Sequence, residues 1–94
     1  MTIGVGRASA ERAVAMCEAH PEVYAAIGVH PHDADAFTEA DLAWIRELGA
    51  HPKVVAVGEC GLDRHRDYAE PAAQVRAFVA QIGVARELGL PVVV

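Results

Sequence analysis

An acidic side chain directly follows an apolar run in the middle of the chain. The run VVAVGECGLD occupies residues 54–63 and passes from valines and an alanine to Glu59 and then Asp63. A second polar group, His30 and His32 in the run VHPHD, also follows an apolar run. Imidazole and carboxylate groups bind borderline divalent cations in proteins. These residue types favour a metal site, and a glutamate such as Glu59 has two oxygens with which to bridge two cations.

Each of these residues also has an interpretation without chemistry. Glu59 suits a solvated loop acid, a helix cap or half of an ion pair. His30 and His32 suit the start of a loop, because the proline between them holds its predecessor extended. Asp63 suits a turn. Residue type and spacing alone leave both interpretations open.

Other polar residues nearby are expected to be structural. Cys60 is expected to point into the packing, because side chains alternate along a strand. His20 and His51 each precede a proline at a helix end, where attraction to the helix dipole suffices to explain them. In the run RHR at residues 64–66, the histidine is expected to be exposed. Its arginines are expected to lie in a solvated, ion-paired loop, with phosphate contact as the alternative.

Four short apolar runs predict β-strands, at residues 2–6, 23–29, 53–58 and 92–94. The runs are continuous rather than alternating, as a parallel sheet covered by helices requires. The motif His-Pro-x-Val begins at positions 20 and 51, which are 31 residues apart, about the length of one βα unit. The predicted order is β-α-β-α-β-α-β with right-handed crossovers. No linker or second domain is indicated within residues 1–94.

Three helical patterns separate these strands. The first is predicted to begin after Ser9 as its N-cap, and the second after a capping box formed by Thr38 and Asp41. The third covers 70–88 and ends at Gly89. The apolar residues on one face of this pattern are Val75, Phe78, Val79, Ile82 and Ala85. Because the carboxyl ends of parallel strands share one edge of a sheet, the four candidate site residues are expected to converge there.

Composition limits the partners of the chain. The net charge of −5 provides no basic field for nucleic acid, so work on phosphates would need a bound cation. Hydrophobic residues make up 53% of the chain, and the mean hydropathy is +0.21.

Two cysteines make no disulfide framework, which favours a reducing compartment. With no visible leader and no apolar run of membrane length, we expect a soluble, cytoplasmic protein without a membrane partner.

Three motifs together carry a resemblance to a known family: GVHPHDAD at 28–35, VVAVGECGLDRHRDY at 54–68 and ARELGLPVVV at 85–94. They resemble the TatD family of metal-dependent deoxyribonucleases, which belongs to the amidohydrolase-like TIM barrels. The resemblance implies an α/β fold that is part of a (β/α)8 barrel. It implies about four parallel strands and three helices, roughly strands 2–5 of the barrel, with residues 1–94 as a single fragment of it.

The resemblance also implies an activity, namely hydrolysis of phosphodiester bonds in DNA with one or two divalent cations of the Mg, Mn or Zn class. It implies that Glu59 is a metal ligand. His30, His32 and Asp63 match positions on the same side and are expected to face the substrate or to support the metal ligand. No catalytic acid or base is assigned.

The chain departs from the family pattern at both ends. The family's first strand bears a His-x-His metal pair that residues 1–8 do not supply, and a further metal-binding histidine is expected directly after Val94. We therefore expect the chain alone to be inactive and to self-associate through its open sheet edges. Two alternatives stay open: a non-catalytic α/β module, and a relative in the same barrel class that acts on an amide or a cyclic substrate.

Overall fold

The computed structural model of the chain describes residues 1–63 and 69–94. Three strands and three α-helices alternate, with a short 3-10 helix after the second strand. The elements are β1 (Thr2–Val5), α1 (Arg7–Ala19), β2 (Ala25–Gly28), the 3-10 helix (Pro31–Ala36), α2 (Glu39–Gly49), β3 (Val54–Val57) and α3 (Pro71–Leu88). The predicted α/β alternation is confirmed, and the 3-10 helix was not predicted.

The three strands form one parallel sheet in the order β1-β2-β3. The predicted fourth strand is present only as a single parallel bridge between Val57 and Val92. Around this bridge the N–H of Val57 donates to the carbonyl of Pro91 at 2.9 Å, and the N–H of Val93 donates to the carbonyl of Val57 at 2.8 Å. The fourth apolar run, predicted to begin a strand at residues 92–94, therefore lies beside β3 in parallel and pairs with it at this bridge.

The helices cover one face of the sheet. All four residues of β2 are buried, and Ile27 packs with Trp44, Ile45 and Val84 in the main core. The edge strand β1 is open on its other face, since Ile3 is 43% exposed. Strand side chains alternate between faces, so β1 buries one row and leaves the other uncovered. This open face agrees with part of a barrel wall.

The first helix begins earlier than predicted. Its N-cap is Gly6, with φ at 84°, and no side chain caps it, so the assignment of Ser9 as N-cap was wrong. Gly6 adopts the positive φ without steric cost and turns the chain from β1 directly into α1. The helix also lies close against the strand, since a Cβ at Gly4 would lie 2.5 Å from the Cα of Ala10.

The capping box of α2 is confirmed. The hydroxyl of Thr38 accepts a hydrogen bond from the N–H of Ala40 at 3.3 Å, and the carboxylate of Asp41 accepts one from the N–H of Thr38 at 2.8 Å. The second oxygen of Asp41 accepts from the indole N–H of Trp44 at 2.8 Å. One carboxylate thus fixes the start of α2 and orients a tryptophan of the core.

The apolar face predicted for α3 is only partly turned towards the core: Ala85 is buried, and Phe78 and Ile82 are half-buried. Val75 and Val79 are exposed by 42% and 61%. The residues that α3 buries are Ala73, Gln74, Ala77, Gln81, Val84 and Ala85. The helix therefore packs mainly through alanines, together with one valine and two glutamines. Its end at Gly89, with φ at 69°, is confirmed.

Two observations bear on the expected surroundings of the protein. Within residues 1–63 and 69–94, no helix combines the length and the apolar character that crossing a bilayer demands. Cys17 and Cys60 are both buried free thiols.

Candidate metal centre

The four candidate residues lie together at the carboxyl edge of the sheet. His30 and His32 follow β2, and Glu59 and Asp63 follow β3, the neighbouring strand. The Nε2 atom of His30 lies 3.3 Å from Oε1 of Glu59, and the Nε2 atom of His32 lies 2.6 Å from Oδ2 of Asp63. The ring centroids of the two histidines are 4.2 Å apart, edge to face. The convergence expected from the strand order is confirmed.

His30 is held by a local turn that fixes which of its nitrogens carries the proton. The N–H of His32 donates to Nδ1 of His30 at 3.2 Å, so Nδ1 acts as an acceptor. In a neutral imidazole the other nitrogen then bears the hydrogen. The proton-bearing Nε2 is the atom that faces Glu59. This arrangement suits a residue that supports a carboxylate better than one that offers a lone pair to a metal.

His32 and Asp63 form a second, shorter pair. Their side chains are only 30% and 22% exposed. Partial shielding strengthens a polar contact between an imidazole and a carboxylate relative to an exposed pair. The pair joins the 3-10 helix to the segment that follows β3, and so holds the walls of the site together.

A cleft of about 290 Å³ opens at this edge and is lined by His30, Pro31, Glu59, Cys60, Leu62, Asp63 and Val94. The side chain of Glu59 is 44% exposed and therefore accessible from the cleft. Cys60 is only 2% exposed, which confirms that it belongs to the packing. Burial raises the pKa of the Cys60 thiol to about 11, so it is protonated at neutral pH and is a poor metal ligand there.

The backbone before Glu59 is tightly enclosed. A Cβ at Gly58 would lie 2.5 Å from the carbonyl oxygen of Val93, so only glycine fits there without a shift of the chain. The peptide bond between Gly58 and Glu59 is cis. The N–H of Cys60 donates to the carbonyl of Val93 at 3.2 Å. Val93 thus contacts the chain on both sides of Glu59.

The residues fit a divalent cation in part. Glu59 supplies an accessible carboxylate with an imidazole beside it, which is how carboxylate ligands of metals are usually supported. In the part of the chain that the structure describes, no group of three or more His, Cys, Asp or Glu residues is placed to hold a metal ion. Catalytic metal sites usually have about three protein ligands. The described residues therefore do not make up such a site by themselves.

Two residues of this region escaped the sequence analysis. Gln81 and Gln74 of α3 are buried and hydrogen-bond to the chain beside His30 and at Asp63. Their signal in the sequence is their spacing of seven residues, which repeats on one helix face together with the alanines around them. The predictions made for residues 64–66 lie outside the described residues.

The whole chain matches one family. The model of the family described as TatD related DNase matches residues 1–94. The chain belongs to this family. The resemblance drawn from the sequence is confirmed.

Similar proteins cover the chain almost completely. It is 48% identical over 94 residues to the uncharacterized metal-dependent hydrolase YabD of Bacillus subtilis, a match that covers 100% of this chain and 37% of that protein. It is 43% identical over 90 residues to the 3'-5' ssDNA/RNA exonuclease TatD of Musicola paradisiaca, covering 95% of this chain and 34% of the other. The chain thus spans about a third of the length of the curated relatives it matches.

A solved structure agrees with the fold. The crystal structure of YjjV, a TatD homolog from Escherichia coli K12, superposes with a TM-score of 0.84 at 29% sequence identity. The match covers 96% of this chain and 36% of that one. The α/β architecture described above is therefore part of the fold of a TatD homolog, as the sequence predicted.

Proposed function

We propose that this chain contributes Glu59 as a metal ligand to a divalent-cation-dependent nuclease that hydrolyses phosphodiester bonds in DNA. The observation that carries the proposal is the accessible Glu59 carboxylate, beside His30 at the strand edge, in a chain that matches the TatD family along its whole length. A bound Mg²⁺, Mn²⁺ or Zn²⁺ ion, or a pair of them, would supply an activated water and would stabilise charge on the phosphate. The net charge of −5 makes such a cation necessary for approach to a polyanion.

The roles of the other candidates follow from their contacts. His30 supports the Glu59 carboxylate, because its proton-bearing nitrogen faces it. Asp63 lines the cleft on the substrate side, and His32 holds the carboxylate of Asp63 in place there. Single-stranded DNA is the substrate to test first, since the Musicola paradisiaca relative is named for exonuclease action on single-stranded DNA and RNA. A reducing, cytoplasmic location is part of the proposal, supported by the two free thiols.

A chimera tests the metal ligand. Residues 1–94 replace the matching segment of the Bacillus subtilis protein, which aligns over all 94 residues. We expect Mn²⁺- or Mg²⁺-stimulated cleavage of labelled single-stranded DNA, lowered by at least about 100-fold in the Glu59→Gln chimera, since removing a key catalytic electrostatic group has effects of this order. Glu70→Gln is the matched control, because Glu70 is an exposed acid at the start of α3. Undiminished cleavage by the Glu59→Gln chimera would contradict the assignment, and cleavage of an amide or cyclic substrate instead of DNA would favour the other hydrolase class.

The 94-residue chain alone is proposed to be inactive and to self-associate. One carboxylate competes poorly with water for a cation, and the described residues supply no group of three ligands. Exposed Ile3 on the edge strand β1 and exposed Val79 on α3 support association. Light scattering after size exclusion is expected to give a molar mass above 10.0 kDa. A compact monomer that cleaves DNA at the rate of the chimera would contradict both statements.

A further inference from the structure

Two buried glutamines of α3 hold the backbone at the candidate metal centre. Gln74 and Gln81 are 2% and 1% exposed. Seven residues make about two helical turns, so both side chains leave the same face of α3, about 10 Å apart along its axis. A buried amide needs partners for its oxygen and its nitrogen. Both glutamines find theirs on the main chain of the segments that carry the candidate residues.

Gln81 pairs with Val29 as a neighbouring strand would. The N–H of Val29 donates to Oε1 of Gln81 at 2.8 Å, and Nε2 of Gln81 donates to the carbonyl of Val29 at 3.1 Å. Both backbone groups of the residue before His30 are thereby fixed. The contact also explains Gly28, because a Cβ there would lie 2.8 Å from Oε1 of Gln81.

Gln74 does the same for the segment after β3. The N–H of Asp63 donates to Oε1 of Gln74 at 2.7 Å, and Nε2 of Gln74 donates to the carbonyl of Ala69 at 2.9 Å. Asp63 and Ala69 flank residues 64–68, so one side chain joins the two flanks. Asp63 is also the residue whose carboxylate meets His32.

We infer that Gln74 and Gln81 are positioning residues. Both belong to α3, and together they fix the geometry of the two histidine–carboxylate pairs. Gln81 holds His30 against Glu59 by fixing Val29, and Gln74 holds Asp63 against His32 by fixing the backbone of Asp63 itself. Both act through the main chain, and α3 sets the spacing between them. The importance of this positioning for catalysis rests on the proposed function, whereas the hydrogen bonds of the two glutamines are present without metal or DNA.

Solution NMR of the 94-residue chain tests the inference without any ligand. The measured quantities are two nuclear Overhauser cross-peaks, one between the His30 ring and the Glu59 side chain and one between the His32 ring and Asp63. Gln81→Met keeps a side chain of similar length but offers no amide. We expect it to lose the first cross-peak and keep the second. Gln74→Met is expected to lose the second and keep the first.

Two further variants separate positioning from general stability. Gly28→Ala puts a methyl group 2.8 Å from Oε1 of Gln81 and 3.0 Å from the backbone nitrogen of Gly58, so it crowds both sides of the pair and should also lose the His30–Glu59 cross-peak. Val84→Ala removes a core side chain of α3 that is 1% exposed, and it should keep both cross-peaks although it lowers stability. Should Gln81→Met fail to fold, Gln81→Asn, which keeps an amide but is one methylene shorter, decides the question for His30, and it too is expected to lose the first cross-peak.

Two outcomes overturn the inference: both cross-peaks persist in the glutamine variants and in Gly28→Ala, or Val84→Ala loses them as well. A chimera that fails to cleave DNA overturns the proposed function but does not change the cross-peaks. The two failures are therefore distinguishable.

Discussion

The imidazole of His32 meets the carboxylate of Asp63 at 2.6 Å, although the two residues lie 31 positions apart in the chain. One belongs to the 3-10 helix after β2 and the other follows β3. The contact therefore depends on the parallel pairing of these strands, which brings both carboxyl ends to one edge. It joins these two segments directly, side chain to side chain, in addition to the hydrogen bond that Gln74 accepts from the N–H of Asp63.

Loss of this contact should lower stability. We expect Asp63→Ala to reduce the free energy of unfolding by about 1 kcal/mol, the usual size of a partly shielded hydrogen bond. Asp63→Asn retains an oxygen and should cost less. Urea denaturation followed by Trp44 fluorescence measures both. Asp33→Ala is the control: it removes an exposed acid of the 3-10 helix, and its free energy of unfolding should stay within about 0.5 kcal/mol of that of the natural chain. An equal loss of stability in Asp63→Ala and Asp33→Ala would contradict a specific role for Asp63.

Gly58 and Gly83 should respond in opposite ways to the same substitution. At Gly58 a new methyl group would meet the carbonyl of Val93, and such overpacking costs about 1–3 kcal/mol. At Gly83, within α3, a Cβ would meet nothing within 4 Å. Alanine there should raise stability by about 0.5–1 kcal/mol, because glycine is a poor helix former. Thermal unfolding of Gly58→Ala and Gly83→Ala compares them directly, and a stabilised Gly58→Ala would contradict the close approach of Val93.

Element order and site convergence could be predicted because they follow from local patterns. The sequence alone shows the continuous apolar runs, the capping box at Thr38 and the glycine at position 89 that ends α3. The parallel order then places His30 beside Glu59 without any knowledge of distances. The start of α1 was missed because a glycine at positive φ replaces a side-chain cap at Gly6.

The packing of α3 could not be predicted from hydrophobicity. The bulky residues Val75 and Val79 are exposed, while Gln74 and Gln81 are buried. A glutamine is stable in the interior only when backbone groups satisfy its amide, and those groups come from segments distant in the chain.

The capping box should be measurable as a separate stabilising unit. Thr38→Ala is expected to lower the free energy of unfolding by about 1 kcal/mol, the typical value of an N-cap. Asp41→Ala should cost more, because it removes both the bond to the N–H of Thr38 and the bond to the indole of Trp44. The fluorescence maximum of Trp44 should also shift in Asp41→Ala, because the indole loses its hydrogen-bond partner. Glu39→Ala, an exposed first-turn acid of α2, is the control, and an Asp41→Ala loss no larger than that of Glu39→Ala would contradict the double role.

The buried thiol of Cys60 should make stability fall at alkaline pH. Burial raises the pKa of Cys60 from 9.0 to about 11 in the folded protein. Between these values the unfolded chain releases the thiol proton while the folded chain keeps it, so the unfolded state becomes more favourable as pH rises. The stability is fully present below pH 9 and is lost progressively as pH rises through 11, by at most about 2.7 kcal/mol.

Comparison of cysteine variants isolates this contribution. The free energy of unfolding is measured in urea from pH 7.5 to about pH 10.5, the upper limit being set by the loss of other ion pairs at higher pH. Cys60→Ala should be less stable at neutral pH because it leaves a small cavity, yet its stability should decline less steeply above pH 9. Cys17→Ala removes the other buried thiol and should retain the Cys60-dependent decline. Parallel curves for the natural chain and Cys60→Ala across this range would show that the thiol is not held protonated by burial at the strand edge.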